Sequence, residues 1–142
     1  MTRFLIADDS PTVRAQVSEW LTSAGYDVLQ AADGARALEL LRASTKFLAV
    51  LLDYDMPGLT GYEVLQQAYA YGCIPPRYAY AVISGRTEAF PSAFSDLLRQ
   101  LAIQLLPKPF DRDSLLMLGA YLTSRQNMKP LLHGARKDAS TQ

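Results

Sequence analysis

Asp8, Asp9, Asp53, Ser84 and Lys108 are residue types that can do chemistry together. Three carboxylates gathered in one place repel, and each resists ionising unless a cation is present. A hard divalent cation resolves that repulsion. Mg2+ takes one or two carboxylates and fills its other positions with water and phosphate oxygens. A lysine beside such a site can pair with an acid or hold an arriving anion, and a serine hydroxyl can donate to a phosphoryl oxygen. Together these are the parts for phosphoryl transfer onto a carboxylate. Each residue also has a plainer role open to it. Strand-end aspartates cap their own loops and serines form turns. Asp8-Asp9 can simply precede a helix N-terminus, where acids are favoured. Lys108, between Pro107 and Pro109, can be a solvated loop charge. The chemistry therefore depends on whether the fold brings these residues together.

The elements that would position them are written in the hydrophobic pattern. Phe47 to Leu52 is an uncharged apolar run that stops at Asp53, which suits a central strand buried on both faces. Pro57-Gly58 reads as a turn, and Thr60-Gly61-Tyr62-Glu63 has the capping-box spacing that opens a helix, expected over about Tyr62–Tyr71. Phe4 to Ala7 is a short strand ending in Asp8-Asp9. Ser10-Pro11 then starts a helix in which Val13, Val17, Trp20, Leu21 and Ala24 recur at helical spacing, stopped by Gly25. A weaker strand lies within Tyr26–Ala31, nearer an edge. A helix after Asp33-Gly34 turns Ala37, Leu38 and Leu41 inward. Pro75-Pro76 breaks the chain before a strand over Tyr78–Ser84. Phe94, Leu97, Leu98 and Leu101 recur at i, i+3, i+4 and i+7, the stripe of an amphipathic helix. A fifth strand is expected over Ala102–Leu106, ended by Pro107-Lys108-Pro109. Asp111 can cap a last helix with Leu115, Leu118 and Leu122 on one face.

Five strands alternating with five helices call for an α/β fold, a parallel sheet covered on both faces. In such a sheet every strand points its carboxyl end the same way. Asp8-Asp9, Asp53, Ser84 and Lys108 all fall at those ends and none at the opposite ends, so residues far apart in sequence become neighbours at the edge where such folds place ligands.

Bulk properties narrow the function classes. The chain fits one domain, and at 49% apolar it is too hydrophobic for a disordered protein. Fourteen Lys and Arg balance fourteen Asp and Glu, so no global field points to direct nucleic-acid binding or to an acidic membrane. The balance hides an asymmetry: Arg125, Lys129, Arg136 and Lys137 against Asp138 give the last 18 residues a net +3. Residues 1–125 are expected to form the domain and 126–142 a flexible basic tail or the start of a linker, because the periodicity stops near Asn127. The single cysteine, Cys73, fits a reducing compartment. With no signal peptide and no membrane-length apolar stretch, a cytoplasmic location without membrane insertion is expected.

The ordered set Asp8-Asp9, Asp53 with Met56-Pro57 and Gly61, Ser84-Gly85 and Lys108-Pro109 resembles the CheY-like receiver domain of bacterial two-component response regulators, over about residues 3–124. The resemblance implies a doubly wound, flavodoxin-like five-stranded sheet of order 2-1-3-4-5 with five flanking helices. It implies that Asp53 accepts a phosphoryl group from a sensor histidine kinase or phosphotransfer protein, and that the protein signals rather than turning over a substrate. Asp9, Asp53 and the backbone carbonyl of Asp55 would bind Mg2+, with Asp8 acting mainly through water. Ser84 and Lys108 would hold phosphoryl oxygens, and Gly85 would leave room for them. Asp55 and Arg86 stand where receivers tune the lifetime of the phosphorylated state, and their opposite charges could bridge over the pocket. The family usually carries Tyr or Phe on strand five, three residues before the lysine; Leu105 stands there instead, so the usual aromatic readout is missing. The output partner is left open, and dimerisation is compatible with the family. Two other readings exist: a haloacid-dehalogenase-type phosphatase, from the Asp53-x-Asp55 pair, and a receiver-shaped interaction module that signals without phosphate.

Overall fold

The computed structural model describes residues 2–73 and 77–127. The break expected at Pro75-Pro76 and the tail from Met128 onward lie outside the described residues. The elements alternate as expected: β1 (Arg3–Ala7), α1 (Pro11–Ser23), β2 (Asp27–Ala31), α2 (Gly34–Ala43), β3 (Leu48–Asp53), α3 (Gly61–Ala70), β4 (Ala79–Ser84), α4 (Ser92–Gln100), β5 (Gln104–Pro107) and α5 (Arg112–Ser124), closed by a 3-10 turn over Arg125–Asn127. The strands form one sheet of order β2-β1-β3-β4-β5, with every neighbouring pair parallel.

Every residue of β3 and β4 is buried. Their unbroken apolar runs are thus explained by helices on both sides. One face packs Leu5, Val50, Leu52 and Val82 against α2, α3 and α4 through Leu41, Leu65 and Phe94. The other packs Phe4, Ile6, Leu51 and Ile83 against α1 and α5 through Val17, Leu21 and Leu115. The edge strands β2 and β5 are largely exposed or half-buried. Where β4 begins, the buried Tyr78 hydroxyl donates to the carbonyls of Leu41 at 2.8 Å and Ser44 at 2.9 Å, satisfying carbonyls at the end of α2.

Helix starts follow their side-chain caps. Ser10, Asp33, Thr60 and Asp111 each accept from a backbone amide in the first turn of α1, α2, α3 and α5, and Thr60 with Glu63 completes the capping box. Each such cap is worth about 1 kcal/mol. Among the described residues only α4 differs: it starts after Pro91 with no side-chain cap.

One expectation is corrected. Strand β5 begins at Gln104, not Ala102, because Leu101 to Ile103 still belong to the end of α4. Ala102 takes a positive φ of 55° and the Ile103 amide returns to the Leu98 carbonyl at 2.8 Å, a left-handed helix ending that leaves no extended backbone for pairing. Ala24 is exposed and lies past the last turn of α1 as its C-cap.

Candidate functional site

The sheet register assembles the site. Ala7 pairs with Leu52, so Asp8 comes level with Asp53 on the adjacent strand. Asp53 pairs with Ile83, which sets Ser84 one step beyond, and Ser84 pairs with Pro107, which delivers Lys108. The Lys108 amide also donates to the Ser84 carbonyl at 2.7 Å, fixing the lysine backbone against the end of β4. The Lys108-Pro109 bond is cis. Gly61 lets α3 start immediately behind β3: a Cβ there would lie 2.7 Å from the Asp53 carbonyl oxygen and 2.9 Å from Tyr54 Cα.

The side chains converge as the sequence suggests. Asp8 is fully buried, and Asp53 and Ser84 are 3% and 4% exposed, while Asp9 lies at the surface. Carboxylate oxygens of Asp8, Asp9 and Asp53 lie within 4.8 Å of one another. The Lys108 ammonium reaches Asp8 Oδ2 at 2.7 Å and Asp53 Oδ2 at 3.5 Å. Asp8 Oδ1 accepts from the Ser10 amide at 2.9 Å. Its Oδ2, sealed from solvent, has the ammonium close by but no hydrogen bond of good direction. We read that contact as an ion pair, and it leaves a buried carboxylate oxygen with capacity for a cation.

Burial raises the Asp53 pKa from 3.8 to about 7, with the charge of Asp8 as the next contributor; Lys108 and the Asp55 backbone amide oppose the shift, and Asp9 adds to it. Burial pulls Lys108 the other way, but its contacts with Asp8 and Asp53 outweigh that pull and raise it above its ordinary value. The pocket thus holds more negative charge than one ammonium balances. Hard oxygen donors, close-set carboxylates and an incompletely satisfied buried oxygen suit Mg2+.

Ser84 Oγ accepts from the Arg86 amide at 3.0 Å, leaving its own proton free to donate. Gly85 lies against the Lys108 stem, where an added Cβ would sit 3.6 Å from Lys108 Cβ, an ordinary contact. Arg86 Nε stands 3.9 Å from Asp55 Oδ2, a loose pair at the rim of the pocket. Leu105 does not join the site: it pairs with Val82 on the edge strand and is 44% exposed.

Residues that the sequence did not single out surround these. Arg14 Nη1 donates to the Asp8 carbonyl at 2.6 Å, bracing the backbone between the two acids. Its place in the first turns of a helix that starts right after Asp8-Asp9 is the signal that could have found it. Tyr54, next to Asp53, is buried under Phe90 and Phe94 with ring centroids 4.9 and 4.8 Å away. No periodicity links these three, since they come from a loop, a second loop and a helix.

A family model of the response regulator receiver domain matches residues 4–118. Among curated proteins, the chain is 33% identical over 115 residues to the Bacillus subtilis protein YrkP, described as an uncharacterized transcriptional regulatory protein; the match covers 80% of this chain and 46% of YrkP, so the chain spans about half of that relative. Among solved structures it is similar to the Vibrio cholerae chemotaxis protein CheY4, with 27% identity, a TM-score of 0.72, and coverage of 86% of this chain and 98% of the other. It is also similar to the Thermotoga maritima response regulator TrrA in complex with Mg2+ and BeF, with 27% identity, a TM-score of 0.68, and coverage of 86% and 99%.

Proposed function

This chain belongs to the response regulator receiver domain family, and from that premise we propose that Asp53 is the residue on which it accepts a phosphoryl group. The observation that carries this reading is the buried Asp53 carboxylate facing the Lys108 ammonium beside two further acids. Asp53 attacks the phosphorus with a carboxylate oxygen. An O–P bond forms, the bond from phosphorus to the donor breaks, and the donor leaves with that electron pair. Lys108 offsets charge on the transferring group, and the Ser84 hydroxyl donates to one of its oxygens. Asp8, Asp9, Asp53 and the Asp55 carbonyl would hold Mg2+, which when bound neutralises the acids and the incoming phosphoryl oxygens.

The donor is a sensor histidine kinase or a phosphotransfer protein, and the cytoplasm is the compartment that suits the single free cysteine. The domain helps its own phosphorylation and dephosphorylation without acting as a turnover enzyme. Nothing favours the phosphatase reading: the Asp55 side chain that would serve as its acid is exposed at the rim beside Arg86. The phosphate-independent reading gains nothing either, because the acidic pocket is complete.

The test is labelling by acetyl phosphate with Mg2+. The parent should take up one acid-labile phosphoryl group and Asp53→Asn none; labelling of Asp53→Asn at the parent's stoichiometry overturns the assignment. Asp55 and Arg86 tune the lifetime of the product. Their pair stands where it can obstruct a water lined up behind the phosphorus. Arg86→Ala and Asp55→Ala should each hasten loss of the label, and the double variant should lose less than the sum of the two. Additive effects would dismiss the bridge.

A further inference from the structure

The Asp8-Asp9 corner is held from outside the pocket. Of the three close-set acids, Asp9 alone lies at the surface. Among the described residues its side chain has no hydrogen-bond or ion-pair partner. Its direction is therefore set by the backbone that carries it. The peptide that joins the two acids presents the Asp8 carbonyl, and Arg14 Nη1 donates to that carbonyl at 2.6 Å. The Arg14 amide donates to the Ser10 carbonyl at 3.0 Å, so this one residue ties back to the corner twice. The guanidinium is anchored in turn from β2, because Arg14 Nε donates to Gln30 Oε1 at 3.3 Å. Gln30 lies level with Ile6 in the sheet register, and its neighbour Ala31 accepts from the Asp8 amide at 3.1 Å. The edge strand thus reaches the acid corner by two routes, one through backbone and one through Arg14. Arg14 is half-buried, and among the described residues it has a carbonyl and an amide oxygen as partners but no carboxylate.

We propose that Arg14, anchored from β2 by Gln30, is a positioning residue that sets the affinity of this site for Mg2+ by fixing the peptide between Asp8 and Asp9. The proposal rests on the reading of Asp8, Asp9 and Asp53 as the Mg2+ site. Mg2+ demands near-octahedral geometry at short distances, so a ligand that swings binds it poorly. Asp8 and Asp53 are held by burial and by Lys108. Asp9 has its backbone alone. Without a donor on the Asp8 carbonyl that peptide is free to turn toward water, and ordering Asp9 again opposes ion binding. Groups that orient metal ligands without touching the metal are worth about 10- to 100-fold in affinity. The charge of Arg14 works the other way, because a cation beside a cation site repels the ion. The two effects have opposite signs. Loss of positioning weakens Mg2+ binding, whereas loss of charge alone tightens it. Arginine suits the place because its planar fork holds two oxygens at once, which a lysine ammonium on a flexible stem does not.

Mg2+ titrations followed by the rise in melting temperature test this, since an ion that binds only the folded state raises it by mass action. Melts without metal, run alongside, read any purely structural loss. Arg14→Gln should raise the apparent Mg2+ dissociation constant about tenfold. Arg14→Lys keeps the charge and should raise it as well, by about three- to tenfold. Gln30→Ala leaves Arg14 and all three acids in place and should raise it about threefold. The Mg2+ concentration for half-maximal labelling by acetyl phosphate should rise by the same factor in each variant. Tighter Mg2+ binding in Arg14→Gln shows the charge alone at work and overturns the positioning role. Variants that melt lower without metal yet bind Mg2+ as the parent does overturn it too, because the contact is then structural only. Parental affinity in both Arg14→Lys and Gln30→Ala overturns the anchored fork. A parent that does not respond to Mg2+, or whose response survives Asp9→Ala, overturns the metal site itself, a failure distinct from that of Arg14.

Discussion

Asp53 is held in a state that favours its proton. Burial first and Asp8 second raise its pKa from 3.8 to about 7. The folded protein therefore binds a proton that the unfolded chain has released. The stability this contributes is full below about pH 4 and is lost as pH rises through about 7. Relief of that cost predicts that Asp53→Asn melts higher than the parent at pH 8 without metal, with the gap closing toward pH 4, in parallel thermal melts. Lys108 keeps its 2.7 Å contact with Asp8 in the variant, so it is not left without a partner. Mg2+ held by the proposed site would bind the folded state alone and should raise the parent's melting temperature. That rise should vanish in Asp9→Ala. A parent-like response there would mean that the ion is held elsewhere.

At the scale of elements, α3 comes against the backbone at the end of β3, where Asp53 sits. Gly61 makes that approach, and Gly85 looks similar in sequence but is not. A Cβ at 61 meets backbone at 2.7 and 2.9 Å, whereas one at 85 meets the Lys108 stem at 3.6 Å. Gly61→Ala should cost about 1–3 kcal/mol by forcing backbone apart, and Gly85→Ala should stay within about 0.5 kcal/mol. Urea unfolding of the two variants checks the contrast. Equal losses would mean that the β3–α3 junction yields more easily than backbone packed against backbone should.

For the whole molecule, contacts tie together the two ends of the described residues. Thr2 Oγ1 meets Gln126 Oε1 at 2.7 Å, tying the start of β1 to the turn that follows α5. Gly119 brings α5 against the Phe4 ring, 3.3 Å from where its Cβ would be. Removal of residues 128–142 should leave the melting temperature within about 2 °C of the parent's. Removal from Gln126 onward should cost about 0.5–1.5 kcal/mol, the worth of one hydrogen bond. A large loss from the shorter truncation would show that Leu131 and Leu132 contribute to the folded domain.

The sequence by itself determined the element order, the strand ends and the five pocket residues. Their signals are local: apolar runs bounded by Asp or Pro, caps at fixed spacing, and a parallel topology that sends all strand ends one way. It also placed Asp55 and Arg86 at neighbouring strand ends, but not the loose 3.9 Å separation of their side chains. The start of β5 was misread because Ala102 and Ile103 are as apolar as a strand, and only the return of the Ile103 amide to Leu98 makes them a helix ending. The raised pKa of Asp53 needed the tertiary structure, since burial and the nearness of Asp8 are properties of packed strands. The packing of Tyr54, Phe90 and Phe94 needed it too: ring contacts across three separate segments leave no period in the sequence to read.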